Sequence, residues 1–393
     1  MMKTKFLSLF LILFVIQITF SQYKQLSEKA EISIITAGPG KVLYERFGHS
    51  AIRVKSADFD LIYNYGFFDF NAPNFYLNFA KGKMLYKLER YPFHYFVRSS
   101  QRDKRWIKEQ ILNLNQSEKQ QFFEYLENNA KPENASYLYD PFFNNCATVL
   151  VDITKSVLGD KVSFNDISIE KSTTLRTLMN KEIYWNTWGS FGINLIAGTI
   201  LDKKPTNSEY MYLPDYLYKG FESATVKVNT KSDKLVKKES VLLNYEEHQL
   251  KSEIFNPLLI FSLFSLLGIF ITFKDIKKNK RTKTLDFILF LITGIIGCCI
   301  TFLWFFSSHS TAPNNFNFLW AFAPNVIVAF YVLKENSRLW IKTYVKILMI
   351  LLLIIPVLWI EKIQLLPTAV LPFIALLFVR FLALDKYLLS SKK

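Results

Sequence analysis

Beyond residue 255 the sequence is a succession of apolar runs, 255–273, 285–306, 318–333, 343–360 and 365–384. Each is close to the ~20 residues that cross a hydrocarbon core as a helix, so an all-α membrane domain of about five spans is expected over 254–393. The third and fifth runs are the least regular, carrying Pro324 and Asn325, and Pro367, Pro372 and Arg380. A separate apolar run, 6–20, follows Lys3 and Lys5 and ends at Ser21 before Gln22. A basic start, an apolar stretch and a small residue at a polar junction read as a secretory signal over 1–21, cleaved after Ser21. No cysteine follows the junction, so this is not the signal of a lipoprotein.

The charges orient the chain. Lys274, Lys277, Lys278, Lys280, Arg281 and Lys283 sit between the first two runs. Short basic loops stay on the cytoplasmic side because Lys and Arg resist translocation. Lys334, Arg338 and Lys342, and then Lys386, Lys392 and Lys393, fall on the same side. The loop 307–317 and the Glu361-Lys362 turn fall outside, together with everything before the first span. The formal charge of +15 is therefore a topology signal and not a nucleic-acid footprint.

The exported part, 22–253, reads as α+β. Short apolar or alternating runs predict strands over 32–36, 49–54, 61–65 and 84–88. The run 106–114 fits a strand or a helix. A helix is expected over 117–129 with Ser117 as N-cap, and another over 146–158, capped by Asn144 or Asn145 and stopped by Gly159. The Lys-rich stretch 226–250 fits a strand pair or a linker. No internal repeat is evident.

Of three cysteines, Cys298 and Cys299 lie within the second apolar run, where small side chains pack. Cys146 is then the only cysteine of the exported domain, where structural cysteines normally come in pairs. Its place at a helix start favours a thiolate, because unpaired backbone N–H groups and the helix dipole stabilise negative charge there. The same groups suit an oxyanion. The plain alternative is a small residue packed at a helix start.

Four histidines accompany it. His49 heads a strand behind Gly48, a rigid position suited to a general base. His94 lies in an aromatic cluster, His248 in the polar stretch, and His309 in the outer loop Ser307-Ser308-His309-Ser310 beside Asn314, Asn315 and Asn317. No ligand spacing of a metal site is present, and Ala37-Gly38-Pro39-Gly40 reads as a turn, not a phosphate loop.

Phe47-Gly48-His49-Ser50-Ala51-Ile52-Arg53, Tyr63-Asn64-Tyr65-Gly66-Phe67-Phe68-Asp69-Phe70 and Asn145-Cys146-Ala147-Thr148 together resemble the Bacteroidetes lipoprotein N-acyltransferase (Lnb) family. Leu201-Asp202, Met211-Tyr212-Leu213-Pro214-Asp215-Tyr216-Leu217 and the Ser308-His309 loop fit its later motifs. The resemblance implies a permuted papain-like fold of the NlpC/P60 and lecithin–retinol acyltransferase kind, in which a strand His precedes a helix-start Cys. It implies acyl transfer from a membrane phospholipid to the N-terminal cysteine amine of a diacylated lipoprotein, through a Cys146 thioester and without a cofactor. His49 is then base and proton donor. Asn64, Tyr65 and Asp69 are candidates to orient it, Tyr65 preferred, and Asn145 would support the oxyanion. Arg53, Asn64, Asp69 and His309 are the substrate-binding candidates. Val149-Leu150-Val151 stands where an Arg is expected, so a cationic role would pass to Arg53 or Arg176. The competing readings are a membrane-anchored cysteine peptidase or amidase acting on cell wall, and a lipid-binding scaffold without catalysis.

Overall fold

The computed structural model describes residues 23–390 apart from 168, 169, 171, 229, 230 and 335–338; the expected signal segment over 1–21 lies outside the described residues. Seven strands form one antiparallel sheet: β1 (Glu31–Ala37), β2 (His49–Lys55), β3 (Asp60–Phe67), β4 (Leu85–Pro92), β5 (Ile107–Leu112), β6 (Ser136–Leu138) and β10 (Val236–Leu243). Their spatial order is β10-β5-β1-β2-β3-β4-β6. The central strands β1 and β2 are rich in Ile, Val and Ala and buried on both faces, so they read as near-continuous apolar runs. A small second sheet joins β7 (Val162–Ser163), β8 (Thr225–Val228) and β9 (Lys231–Lys234).

The four expected strands form, and 106–114 resolves as β5. The stretch 226–250 is more than a strand pair or linker, because β10 pairs along β5 and closes that edge of the main sheet.

Helices cover both sheet faces. On one, Ile32, Ile34, Ile52, Val54, Tyr63 and Tyr65 pack under α3 (Gln116–Asn129), α4 (Thr148–Leu158) and α7 (Pro214–Ser223). On the other, Ile35, Ala37, Ala51, Ile62 and Ile107 pack under Phe93 and Phe96 of α2 (Phe93–Arg102). The short helix α1 (Phe75–Ala80) projects from the β3–β4 connection. α5 (Leu175–Glu182) and α6 (Trp188–Ile196) build a third apolar cluster toward the membrane domain. The cap of α3 is Asn115 and not Ser117: Asn115 Oδ1 accepts the Glu118 N–H, and the Glu118 carboxylate accepts the Asn115 N–H. Ser117 is already the second residue of the helix that starts at Gln116, inside the first turn and past the position from which a side chain caps.

The C-terminal region holds α8 (Pro257–Lys278), α9 (Lys283–Phe306), α10 (Asn325–Val332), α11 (Leu339–Ile360) and α12 (Leu371–Ser390). All but α10 are long and apolar enough to cross a membrane. The third expected span is instead a 3-10 turn, Phe316–Leu319, followed by irregular backbone and the eight residues of α10, about 12 Å of helix. Glycines on α9 admit this segment: an added Cβ would lie 2.1 Å from Val326 N at Gly294 and 2.1 Å from Ala321 O at Gly297. The broken stretch is covered by protein, and buried Asn325 donates to Thr293 Oγ1 at 2.9 Å and accepts from the Tyr344 hydroxyl. Non-helical backbone at membrane depth is tolerated only under such cover.

Arg380, which weakens the fifth run on hydropathy, is 3% exposed. It donates to Asp286 at 2.6 Å on α9, to Asp275 at 2.8 Å on α8, and to the Thr282 carbonyl between them. Away from that charged end, the exported domain rests on the outer loops. Gly198 N–H donates to Thr311 O at 2.7 Å, Ser308 N–H to Lys81 O at 2.8 Å, and Gln364 Nε2 to Ala197 O at 3.1 Å.

Candidate active site

β2 begins directly after Gly48, whose φ of +76° turns the chain into the sheet and fixes His49 at the strand head. Continuing the β2–β3 register from Ile52↔Tyr63 places Asn64 opposite Ala51, on the same face as His49, and Tyr65 on the other. His49 Nε2 meets Asn64 Oδ1 at 2.5 Å, and Asn64 Nδ2 donates to the Tyr91 hydroxyl at 3.0 Å. Asn64 therefore orients the imidazole, the task for which Tyr65 was the expected residue. The Tyr65 ring enters the opposite core beside Tyr125 and Asn129 of α3. Phe96 packs near the imidazole, with ring centroids 6.2 Å apart.

Cys146 stands two residues before α4 and is buried, 9% exposed. Asn145 shapes this corner. Its Oδ1 accepts the N–H groups of Ala147 and Thr148 at 2.9 and 3.0 Å, and its Nδ2 donates to Pro141 O and Tyr212 O, both at 2.8 Å. Both amide hydrogens are thereby used, so Asn145 caps the helix and ties it to the Tyr212 segment, and does not supply an oxyanion donor. The Ala147 and Thr148 N–H groups are committed in the same way.

Burial alone raises the Cys146 thiol. The charge and hydrogen bond of His49, the Ser50 backbone N–H and the Arg105 charge overcome it and hold the thiol below its ordinary value. Burial alone lowers His49. The Cys146 charge and hydrogen bond, with the Asn64 bond, overcome it and raise the imidazole above its usual range. Shifts of opposite direction in the two facing groups favour passage of the thiol proton to the imidazole.

Gly66 opens the space beside the sulfur. It sits in the β3 bulge between Asn64 and Phe67 at φ +98°, and a Cβ there would lie 3.8 Å from Cys146 Cβ and 3.9 Å from Tyr137 and Tyr139. A side chain at this position would be strained and would face the thiol.

The cation near the thiol is Arg105, which nothing in residue type or spacing distinguishes from its basic neighbours Arg102 and Lys104. Its Nε donates to Gly38 O at 2.7 Å, and its Nη1 lies 4.0 Å from the Glu45 carboxylate. Among the described residues its buried Nη2 has no hydrogen-bond partner. The two arginines expected to take a cationic role are occupied elsewhere. Arg53 pairs with Asp60 and Glu109 under the Phe93 ring. Arg176, fully buried, binds Asp202, Asn194 and the Ala197 and Gly198 carbonyls.

The remaining expected residues lie outside this pocket. Asp69 accepts the Asn71 N–H in an exposed turn. His309 contacts the Phe79 carbonyl at 2.8 Å and fixes α1 to the outer loop. His94 is exposed beside Tyr95, and His248 meets the Asp103 carbonyl. Among the described residues no group of three or more His, Cys, Asp or Glu side chains gathers to hold a metal.

An α+β domain with a paired buried thiol and imidazole, seated on the outer loops of a helical domain, defines a membrane protein whose site lies at the membrane's outer face. Two family models match the sequence, the Lnb N-terminal periplasmic domain over residues 20–181 and the Lnb transmembrane domain over 249–393. The chain belongs to the Lnb family, and is an inner-membrane protein with a periplasmic domain that takes part in lipoprotein maturation. No curated protein and no solved structure matches it.

Proposed function

We propose that the protein is a thiol acyltransferase that moves an acyl chain from a membrane phospholipid to the N-terminal cysteine amine of a diacylated lipoprotein. The observation that carries this reading is the Cys146–His49–Asn64 arrangement, with a lowered thiol and a raised imidazole. A strand histidine preceding a helix-start cysteine also supports the permuted papain-like reading of the fold.

In the first half-reaction the Cys146 thiolate attacks the ester carbonyl of the lipid. The C–O bond breaks, His49 gives its proton to the leaving glycerol oxygen, and a lysophospholipid departs. In the second, the lipoprotein amine attacks the thioester, neutral His49 accepts the amine proton, and the C–S bond breaks to restore the ion pair. Splitting ester-to-amide exchange through a covalent intermediate replaces one hard step by two easier ones. The Ser50 N–H and Arg105 Nη2 are the donors near the sulfur available to the developing oxyanion.

Cys146→Ser tests the proposal. Target lipoproteins should remain diacylated by mass spectrometry, and a hydroxylamine-sensitive acyl adduct on the protein should disappear. Normal triacylation in that variant would overturn the proposal; altered muropeptides with unchanged lipoproteins would favour a cell-wall amidase.

A further inference from the structure

The connection between β3 and β4 carries an unusual surface. Phe70, Tyr76, Leu77 and Phe79 are 49, 73, 51 and 47% exposed, and Tyr44 of the neighbouring loop is 61% exposed. Such a patch is costly in water and needs an occupant. Three observations identify it. The patch is continuous with the membrane domain: Ser308 N–H donates to Lys81 O, and His309 meets Phe79 O, where α9 ends at Phe306. Its charges suit a headgroup layer, since Lys81 and Lys83 follow α1 directly and Asp69 is the one acid of the segment 67–83. Finally, the rings do not stop at the surface. From His309 they run through Phe79, Phe75, Phe68 and Tyr86 to Tyr139 with successive centroids 6.1, 6.2, 6.1, 4.9 and 4.3 Å apart. Tyr139 lies at the Gly66 opening beside Cys146.

We infer that the segment 67–83 is a lipid-access surface: α1 lies in the headgroup region of the outer leaflet, and an acyl chain reaches the thiol along this row of rings. The inference rests on the acyl-transfer reading and names the route by which its donor arrives.

The full-length protein in phosphatidylethanolamine–phosphatidylglycerol nanodiscs provides the test. Tyr76→Asp with Leu77→Asp changes only exposed positions, and unchanged alkylation of Cys146 by iodoacetamide would show the pocket intact. Acyl-adduct formation from the phospholipid should fall at least about tenfold, because Asp is strongly excluded from hydrocarbon. Adduct formation from a short-chain, water-soluble thioester should not change. Equal loss with both donors, or no loss with the phospholipid, would overturn the inference. A second measurement stands apart from the chemistry. In a Cys146→Ser, Cys298→Ala, Cys299→Ala background, an environment-sensitive label on Tyr76→Cys should be quenched by nitroxide lipids and shielded from aqueous iodide. The reverse pattern would place the surface in water and sink the proposal. If the unmodified protein formed no adduct from any donor, the acyl-transfer reading would fail, while the label would still decide where α1 lies.

Discussion

The charges of Cys146 and His49 support one another: the imidazole holds the thiol below its ordinary value, and the sulfur holds the imidazole above its own. Alkylation of Cys146 by a neutral reagent should therefore rise with pH and reach half its maximum below the ordinary thiol value. In His49→Ala, and to a smaller extent in Arg105→Met, that midpoint should move upward; an unmoved midpoint would show that neither cation holds the thiolate. Asn64 acts on the imidazole and not on the sulfur. Asn64→Ala should slow adduct formation on the order of 10–100-fold, whereas Tyr65→Phe should leave it within about twofold. Equal losses in the two variants would remove Asn64 from its orienting role. Cys146 and His49 were legible from residue type, scarcity and position alone. The choice between Asn64 and Tyr65 was not, because it turns on strand register: neighbouring residues on a strand face opposite ways, and only the pairing with β2 says which faces His49. Arg105 was hidden for a different reason, since an arginine in a basic stretch looks like any solvated charge until the loop around Gly38 and Glu45 folds over it.

At the level of elements, Asn145 holds the thiol's helix through four hydrogen bonds, and its substitution separates structure from chemistry. Asn145→Ala should cost about 0.5–2 kcal/mol of cap stability, visible as a lower unfolding midpoint. Asn145→Asp keeps the cap acceptor but loses both donors, so it should recover part of that loss without restoring the tie to Tyr212. Full recovery would show that the Pro141 and Tyr212 bonds contribute nothing. The strands β1 to β4 were readable from apolar runs, and β5 only as one of two possibilities. The role of β10 escaped the sequence because an edge strand needs little apolar content: its Lys and Glu residues face solvent while its backbone pairs with β5. Hydropathy likewise marks 318–333 as a span, yet it is blind to the two glycines on α9 that let a broken segment lie close against a neighbouring helix.

On the scale of the whole molecule, the site is useful only while the exported domain stays on the outer loops. Gly198 tests this coupling, since an added Cβ would lie 1.9 Å from the Pro313 carbonyl. Gly198→Leu should lift the domain from the loop, leaving Cys146 alkylation intact and sharply reducing acylation from bilayer phospholipid; undiminished acylation would show that the contact is dispensable. The same scale gives Arg380 a meaning that its hydropathy conceals. Its guanidinium is neutralised by carboxylates from the first and second helices, and a lone arginine in hydrocarbon is strongly disfavoured. The last helix is thus a poor membrane segment by itself and a good one beside α8 and α9. Biogenesis of this chain then has an order: the first hairpin must be seated before the C-terminal helix can leave the insertion machinery, and a truncated or shuffled membrane domain would stall at that step.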